Sequence, residues 1–236
     1  MKIFKVLLIL ICTLWGDPSA GADKNILFRE DFKDLVHWEP LYFPKIKKHT
    51  SYTIASEGGR KYLQCASDGS ASALIHKTSF NVYEYSRISW RWKVDNVYRK
   101  PNPREKSGDD YPIRVYVLFQ YDPEKAGLAE KLKYAAAKAL YGNYPPQSTL
   151  NYVWASREKE MGIIVSPYTD RSRMIVLERG PEKAGQWIDE SANIIEDYKK
   201  AFHKPPPAVA RIAVMNDSDD TGERSRSYLE FLEVFQ

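Results

Sequence analysis

The sequence predicts a mainly β protein, a two-sheet antiparallel sandwich of the jelly-roll kind with two helical insertions. Short stretches rich in Val, Ile, Tyr, Phe and Trp recur along the chain, many separated by turn-forming clusters such as Glu57-Gly58-Gly59. Two of these stretches alternate apolar and polar residues, which is the period of a half-buried strand. Aromatic residues make up 13% of the chain, a richness that favours strands and binding faces.

The chain begins with a segment that has the pattern of a secretory signal. Lys2 and Lys5 precede an apolar run at residues 6–15, and small residues at Ala20 and Ala22 suit cleavage before Asp23. The run is shorter than the ~20 apolar residues that span a bilayer. We therefore expect a signal peptide at residues 1–22 and a single β-sandwich domain at residues 23–236. The mature protein would be periplasmic or secreted and would not span a membrane.

Charge and cysteine content narrow the possible partners and the means of stabilisation. The 236-residue chain has a formal net charge of +4, which is far from the dense basic stripe of a nucleic-acid-binding protein. We expect no nucleic-acid partner. Cys12 lies in the signal, so Cys65 would remain without an intrachain partner, and we expect it to act as a small buried apolar residue.

The strands are expected, in chain order, at residues 26–28, 51–55, 61–66, 73–80, 87–95, 111–121, 150–155, 161–167, 173–179, 208–216 and 228–235. Helices are expected at residues 123–140 and 186–202. The first has Asp122 as a plausible N-cap, Gly142 as a stop and an apolar stripe at Leu128, Leu132, Ala135 or Ala136, and Leu140. The second should end before Pro205-Pro206-Pro207, because proline cannot continue a helix.

The polar sides of the two best-alternating strands form a candidate binding face. If Trp90, Trp92, Val115 and Val117 face the core, then Arg91, Lys93, Arg114, Tyr116 and Gln120 face outward. Tyr152 and Trp154 could join that surface from a third strand. Aromatic rings stack on the apolar side of a sugar while fixed donors bind its hydroxyls or carboxylates, and the basic bias favours an acidic glycan. The alternatives are an ordinary solvated face or a reversed assignment of inside and outside.

Two acidic segments are candidates for a rim, a metal site or catalysis. Asp109 and Asp110 enter a strand, where they could contact a ligand, bind a cation, cap the strand or pair with Arg114. Adjacent strand side chains diverge, so this dipeptide alone is a poor carboxylate pair. The loop at residues 216–223 offers Asp217, Asp219 and Asp220 as oxygen ligands for Ca²⁺, although it does not match an EF-hand. A solvated acidic loop is the alternative.

Several blocks together resemble a bacterial secreted family known only as a domain of unknown function. They are Asp109-Asp110-Tyr111-Pro112-Ile113-Arg114-Val115-Tyr116-Val117, Leu150-Asn151-Tyr152-Val153-Trp154 and Met215-Asn216-Asp217-Ser218-Asp219-Asp220-Thr221-Gly222. The resemblance implies an exported protein of Gram-negative bacteria and no established reaction. A looser similarity links the chain to jelly-roll carbohydrate-binding modules and concanavalin-like sandwiches, which is an analogy of fold and carries little functional weight.

The leading hypothesis is an exported, non-catalytic protein that binds a polysaccharide or envelope glycan. Its predicted contacts are Arg91, Arg114, Tyr116, Tyr152 and Trp154, with Asp109 and Asp110 at the rim. One alternative is a glycan-cleaving hydrolase or lyase on the same scaffold, for which the candidate carboxylates are Asp109, Asp110, Glu178 and Asp217. The other is an envelope structural or protein-interaction domain, which an extended exposed apolar patch would favour.

Overall fold

The computed structural model describes residues 24–141 and 144–236. Its strands are β1 (Ile26–Glu30), β2 (Trp38–Leu41), β3 (Ser51–Glu57), β4 (Arg60–Asp68), β5 (Ala71–Asn81), β6 (Arg87–Val94), β7 (Arg114–Phe119), β8 (Ser148–Ala155), β9 (Gly162–Val165), β10 (Ser172–Arg179), β11 (Ile188–Asn193), β12 (Val209–Asp217) and β13 (Arg224–Phe235). The helices are α1 (Leu128–Tyr141) and α2 (Ile194–Phe202), with a short 3₁₀ turn at Lys106–Gly108. The proposed signal segment, Cys12 and the expected stop at Gly142 lie outside the described residues.

The strands form two sheets that pack face to face, which confirms the predicted jelly-roll-like sandwich. Sheet A has the order β11-β6-β13-β4-β3, with β1 also paired to β13. Sheet B has the order β2-β5-β12-β7-β8-β10-β9. The pairs are antiparallel except for β8 and β10, which run parallel with Tyr152 opposite Ile175. The sequence prediction of a wholly antiparallel sandwich missed this pair.

The core lies between the sheets and is rich in aromatic side chains. Trp90 and Trp92 of β6 face Tyr152 and Trp154 of β8, with ring centroids 5.2 Å apart for Trp90–Tyr152 and 6.1 Å for Trp92–Trp154. All four side chains are fully buried. Because each aromatic side chain buries roughly 150–250 Å², this layer alone excludes a large apolar area from water and ties the two sheets together.

Two strands were not predicted from the sequence. β2 contains Pro40, which argues against a strand, but this strand lies at the edge of sheet B, where a missing N–H donor costs little. The second predicted helix, at residues 186–202, is wrong in its first half. Ile188–Asn193 forms β11 along β6, and the helix starts only at Ile194, after Asn193 accepts hydrogen bonds from the N–H groups of Ile195 and Glu196.

Helix α1 is anchored by a different residue from the one its apolar stripe indicates. Leu128 and Leu132 are 78% and 65% exposed, and Ala135 and Ala136 are exposed as well. Of the α1 side chains that the structure describes, which do not include Leu140, Tyr134 is the buried one, at 1% exposure. The helix also starts later than predicted, because the side chain of Asp122 accepts the N–H of Glu124 in a turn that precedes it.

Cys65 lies in the core of sheet A, as expected for a small apolar residue. It is fully buried and free, and burial raises the pKa of its thiol to about 12. The thiol is therefore protonated and unreactive at neutral pH. None of the helices that the structure describes is long and apolar enough to cross a membrane.

Candidate functional site

A cavity lies at the end of sheet B where β5 and β7 finish and β8 and β12 begin. It has a volume of about 610 Å³, within the range of about 300–1,000 Å³ that is usual for ligand sites. We call it the end groove. Its lining includes Tyr83, Gln120, Tyr121, Gln147, Tyr198 and Pro206.

One wall of the end groove is a stack of tyrosines that joins β7 to α1. Tyr121 continues the inward alternation of Val115, Val117 and Phe119, and its ring stacks on Tyr134 at 3.7 Å with an interplanar angle of 4°. The hydroxyl of Tyr134 accepts a hydrogen bond from Arg171 at 2.7 Å. Because this stack holds α1 against the sheet, the wall is set by packing rather than by a free loop.

The opposite wall is fixed by α2 and the proline segment that follows it. The helix ends at His203 in the left-handed conformation (φ 56°), and Pro205-Pro206-Pro207 cannot extend it. Tyr83, which is 51% exposed, donates a hydrogen bond from its hydroxyl to the carbonyl of Pro206 at 2.8 Å. The hydroxyl of Tyr198 contacts Ser148 Oγ at 2.9 Å. Burial raises the pKa of Tyr198, so this phenol stays protonated as a possible donor.

The polar groups of the end groove are amides and balanced charges. Among the described residues, no hydrogen-bond partner is found for the side-chain amide of Gln120 or of Gln147. The lining also contains two carboxylates and two amines, namely Asp122, Glu130, Lys125 and Lys204. A smaller recess of about 200 Å³ continues the groove and shares Glu130, Gln147 and Lys204 with it. A groove that is lined by the tyrosine ring of Tyr83 and two unpaired side-chain amides, and that has no net charge, suits an uncharged, hydroxyl-rich ligand.

Most of the residues predicted from the sequence as ligand contacts lie elsewhere. Arg91 is on the outer face of sheet A, as the alternation of β6 predicts, with Nη1 3.2 Å from Glu230 and Nε 3.7 Å from Asp189. Arg114 is on the outer side of sheet B, at the end opposite to the end groove. The expectation that Arg91 and Arg114 share one surface is therefore wrong, because β6 and β7 belong to different sheets.

Arg114 is part of a buried ion-pair network rather than an open face. It is 4% exposed and binds both carboxylate oxygens of Asp217, with Nε 2.9 Å from Oδ1. Nη1 lies 3.5 Å from Asp109, and the ring of Tyr111 lies 4.5 Å beneath the guanidinium. Burial alone would lower the pKa of Arg114, but Asp217 and its neighbours raise it well above the usual value. This ion-pair network stabilises the part of sheet B where β7 begins and β12 ends.

Asp110 and Tyr116, two further predicted contacts, have structural partners. Asp110 is 1% exposed and accepts the N–H groups of Thr221 at 2.7 Å and Asp220 at 3.4 Å, which closes the loop before β13. Tyr116 is partly buried on the outer side of β7, where its hydroxyl lies 3.5 Å from the sulfur of Met215. The structure thus places Asp110 under the surface, whereas Tyr116 is partly exposed on the outer side of sheet B and does not line the end groove.

Tyr152 and Trp154 point away from Arg114, so the expectation that they join its face is wrong. Both are fully buried between the sheets. Tyr152 donates its hydroxyl to Asp197 of α2 at 3.1 Å, and Trp154 donates Nε1–H to the carbonyl of Gly180 at 3.1 Å. The outer side of β8 carries Val153, which packs under Tyr111 and Met174. The two aromatics therefore stabilise the core and do not line a surface.

The predicted cation ligands are brought together only in part. Asp217 and Asp219 lie close enough to share an ion with Asp110, their carboxylate oxygens being within 4.8 Å of one another. Asp220 instead accepts the hydroxyl of Tyr168 at 2.9 Å. Burial and neighbouring carboxylates raise the pKa of Asp219. The oxygen-only donor set has the chemistry that Ca²⁺ prefers, and Ca²⁺ binding remains a prediction.

The carboxylates considered for catalysis do not line the end groove. Asp109, Asp110 and Asp217 belong to the buried network, at 5%, 1% and 3% exposure. Glu178 lies apart from them on β10, where it accepts a hydrogen bond from Lys183 at 2.7 Å. The groove contains a different pair, Asp122 and Glu130.

A second group of potential metal ligands, Glu30, His37 and His76, is better described as a hydrogen-bonded cluster. Oε1 of Glu30 lies 2.8 Å from Nδ1 of His37 and 3.1 Å from Nε2 of His76. The N–H of Thr78 points at Nδ1 of His76, which requires that nitrogen to accept. Nε2 of the neutral ring then carries the proton and donates to Glu30. His76 is therefore satisfied by hydrogen bonds within the fold.

Comparison with known proteins identifies the family of the chain. The model of the family described as "Protein of unknown function (DUF3047)" matches residues 36–233. The chain therefore belongs to this family, and the resemblance noted from its sequence blocks is confirmed. No curated protein sequence matches the chain.

Solved structures with similar sandwiches include a family 11 carbohydrate-binding module from Clostridium thermocellum, in complex with a mixed-linked tetrasaccharide. It has a TM-score of 0.42 and 8% identity, covering 89% of this chain and 94% of that one. A Lotus tetragonolobus seed lectin has a TM-score of 0.42 and 13% identity, with 89% and 98% covered. Tailspike protein 4 of bacteriophage CBA120 has a TM-score of 0.38 and 7% identity, with 87% and 20% covered. At such values the likeness carries no inference about a ligand.

Proposed function

We propose that this DUF3047 protein binds an uncharged stretch of a glycan, without cleaving it, in the end groove. The observation that carries the proposal is the combination of a half-exposed ring, Tyr83, with the side-chain amides of Gln120 and Gln147 in one cavity of about 610 Å³. A sugar ring offers an apolar face for stacking and hydroxyls for amide hydrogen bonds. The groove offers both partners.

The walls support this function because they are held in place before a ligand arrives. Tyr83 is fixed by its hydrogen bond to Pro206, and the other wall by the stack of Tyr121 on Tyr134. A preformed groove spends little binding energy on ordering its own side chains. This matters for a sugar, because its hydroxyls only exchange hydrogen bonds to water for hydrogen bonds to the protein. The balance of two carboxylates and two amines gives no preference for a charged sugar.

The test is a glycan array on the purified protein, followed by isothermal titration calorimetry with the neutral glycan that binds best. We expect Tyr83→Ala to weaken binding about fivefold, since stacking on an aromatic ring is worth about 1 kcal/mol. Tyr83→Phe should retain most of the affinity, because it keeps the ring and loses only the bond to Pro206. Gln147→Ala should weaken binding by a similar factor to Tyr83→Ala.

Tyr42→Ala is the matched control, because Tyr42 is 56% exposed but does not line the groove. This variant should bind with unchanged affinity. An array without a neutral ligand would contradict the proposal. So would a ligand whose affinity is the same for wild type, Tyr83→Ala and Gln147→Ala.

Cleavage is the second candidate function, and one observation favours it. Asp122 and Glu130 both line the groove that would hold the sugar. Glycoside hydrolysis uses two carboxylates on either side of the scissile bond. Release of reducing ends from the bound glycan, lost in Glu130→Gln and in Asp122→Asn, would establish this function in place of simple binding.

We also propose that the protein is exported to the periplasm or beyond, on the basis of the signal-like residues 1–22. Fractionation of a Gram-negative host that expresses the full chain should recover the protein outside the cytoplasm with an N-terminus at Asp23, as read by mass spectrometry. Recovery of the uncleaved chain from the cytoplasm would contradict export.

A further inference from the structure

A second depression lies on the outer face of sheet A, far from the end groove and on the other sheet. Its volume is about 580 Å³. Arg29 of β1, Arg60 and Lys61 of β4, Arg91 of β6 and Phe231 of β13 line it. We call it the basic pocket. Side chains from four neighbouring strands converge there, so its shape is set by the register of the sheet.

The lining of the basic pocket is strongly positive. Five cationic side chains, the four above and Lys33, face two carboxylates, Asp31 and Glu230, an excess of three positive charges. The net charge of the whole chain is only +4. Ion pairs with two carboxylates outside the lining offset part of this excess, because Arg29 contacts Glu233 at 3.0 Å and Arg91 lies 3.7 Å from Asp189. A single carboxylate, Glu230, is shared by Arg91 at 3.2 Å and Arg60 at 3.6 Å, so two guanidinium groups compete for one negative charge.

A β-bulge shapes the floor of the pocket. In the pairing of β13 with β6, Leu229 lies opposite Trp92 and Phe231 opposite Arg91, so Glu230 is the extra residue. The bulge turns two consecutive side chains, Glu230 and Phe231, to the same outer face, whereas a regular strand would send one of them into the core. An aromatic ring and a carboxylate are thereby set beside Arg91.

Arg91 retains donors for a further partner. Its Nε is shielded from bulk solvent and has no hydrogen-bond acceptor among the described residues. A guanidinium has five N–H donors in a planar fork that matches a carboxylate or sulfate group. Glu230 and Asp189 lie within 3.2 Å and 3.7 Å and use only part of this capacity. Arg60 is more accessible, with 65% of its side chain exposed.

We propose that the basic pocket binds the carboxylate or sulfate group of an acidic sugar, with Arg91 and Arg60 as the principal contacts beside the stack of Arg29 on Phe231. The charge excess attracts the anion. The guanidinium of Arg29 covers the ring of Phe231 at 4.1 Å, so the rest of the sugar would pack against this stack and not against a bare ring. None of the large hydrophobic side chains that are exposed among the described residues lines this pocket, which argues against insertion into a lipid surface. The proposal concerns a separate surface and does not rest on the function of the end groove.

The experiment compares trigalacturonate with maltotriose, an uncharged sugar of the same length, by calorimetric titration of the purified protein. We expect trigalacturonate to bind at least tenfold more tightly than maltotriose, and to weaken as sodium chloride is raised, because salt screens exposed charges. The double variant Arg60→Gln/Lys61→Gln should lose at least tenfold in affinity. These side chains are exposed, so we expect the variant to remain folded.

The matched control is Lys131→Gln/Lys133→Gln on the exposed face of α1, which removes the same charge at a distant place. It should bind trigalacturonate as wild type does. Equal losses in the two double variants would show a general charge effect and overturn the proposal. Three other outcomes would overturn it as well. They are a maltotriose affinity that equals that of trigalacturonate and falls as much in Arg60→Gln/Lys61→Gln, inorganic sulfate binding as tightly as the trisaccharide, and retention on vesicles rich in phosphatidylglycerol without binding of trigalacturonate.

Discussion

Glu190 is a carboxylate held in an unfavourable place, and its removal should stabilise the protein at neutral and alkaline pH. It lies on β11 opposite Trp90 of β6. The side of β6 that carries Trp90 faces the core. Its Oε1 is shielded from solvent and has no hydrogen-bond partner among the described residues. Burial, together with the nearby charge of Glu178, raises the pKa of Glu190 to about 7.

The size of the effect follows from this pKa. A Glu side chain in the unfolded chain titrates near 4.5, and the folded value is about 7. Below pH 4.5 the group is protonated in both states and costs nothing. Stability is lost as the pH rises through this window, and above pH 7 the cost of the buried charge is complete. The shift corresponds to at most about 3 kcal/mol, and relaxation of the site reduces it to about 1–3 kcal/mol.

The perturbation is Glu190→Gln, measured by urea unfolding from pH 4.5 to 8.5. The variant should match wild type at the acid end and exceed its free energy of unfolding by about 1–3 kcal/mol at pH 8, which is about 2–4 °C in Tm per kcal/mol. Glu182→Gln, in the exposed turn before β11, is the control and should leave the pH profile unchanged. Parallel profiles for wild type and Glu190→Gln would refute the reasoning, because they would show that Glu190 ionises in the folded protein as freely as in the unfolded chain.

Two further substitutions test the stability of the sandwich, both by thermal unfolding. Asn193→Ala removes the cap whose side chain accepts the N–H groups of Ile195 and Glu196, and should cost about 1 kcal/mol; an unchanged Tm would mean that the cap is not needed. Arg114→Leu leaves Asp217 buried without its partner and should cost about 3–5 kcal/mol, while Arg114→Leu/Asp217→Leu should recover part of that loss. If the double variant is as unstable as the single one, the pair contributes more than charge balance.

The alternation of apolar and polar residues identifies the two faces of a strand only where one face is exposed to solvent. In β6 the apolar positions, from Ile88 to Val94, are fully buried, and the intervening residues are more accessible, so the prediction of two faces is correct. In β8 both faces are covered. Residues 150–155 are all buried, because Tyr111 and Met174 pack over the side that faces away from the core. Alternation there carries no information on which side is which, and the assignment of Tyr152 and Trp154 to a surface failed.

The apolar stripe of α1 shows a similar limit. Spacing places Leu128 and Leu132 on one side of the helix, but it does not say what that side faces. The stack of Tyr134 on Tyr121 and the hydrogen bond from Arg171 determine the orientation, and they come from residues far away in sequence. A single well-partnered aromatic side chain outweighs two leucines, because it gains ring contacts and a satisfied hydroxyl together.

The end groove could not have been found from local sequence. Tyr83, Gln120 and Gln147 lie in three different turns, and none of these turns has a recognisable motif. Only the strand order of sheet B, which places β5, β12, β7 and β8 side by side, brings those turns to one end. The sequence offered only a general signal, namely a tyrosine and two glutamines in connections at strand ends. Such residues occur in ligand sites, but they are equally common elsewhere.

The two arginines that the sequence treats alike lie in different surroundings, because carboxylates enclose Arg114 while the side chain of Arg91 is 31% exposed. Arg114 meets Asp217 through two oxygens and has Asp109 in addition, so its charge is more than neutralised and its side chain is buried. Arg91 shares Glu230 with Arg60 and lies beside a bulge that leaves the outer face open. An arginine with spare donors and a shared counter-charge gains free energy from another oxyanion, whereas one enclosed by carboxylates does not. Exposure and the distances to the carboxylates thus distinguish an enclosed arginine from one that could take a further anion, which the strand pattern does not.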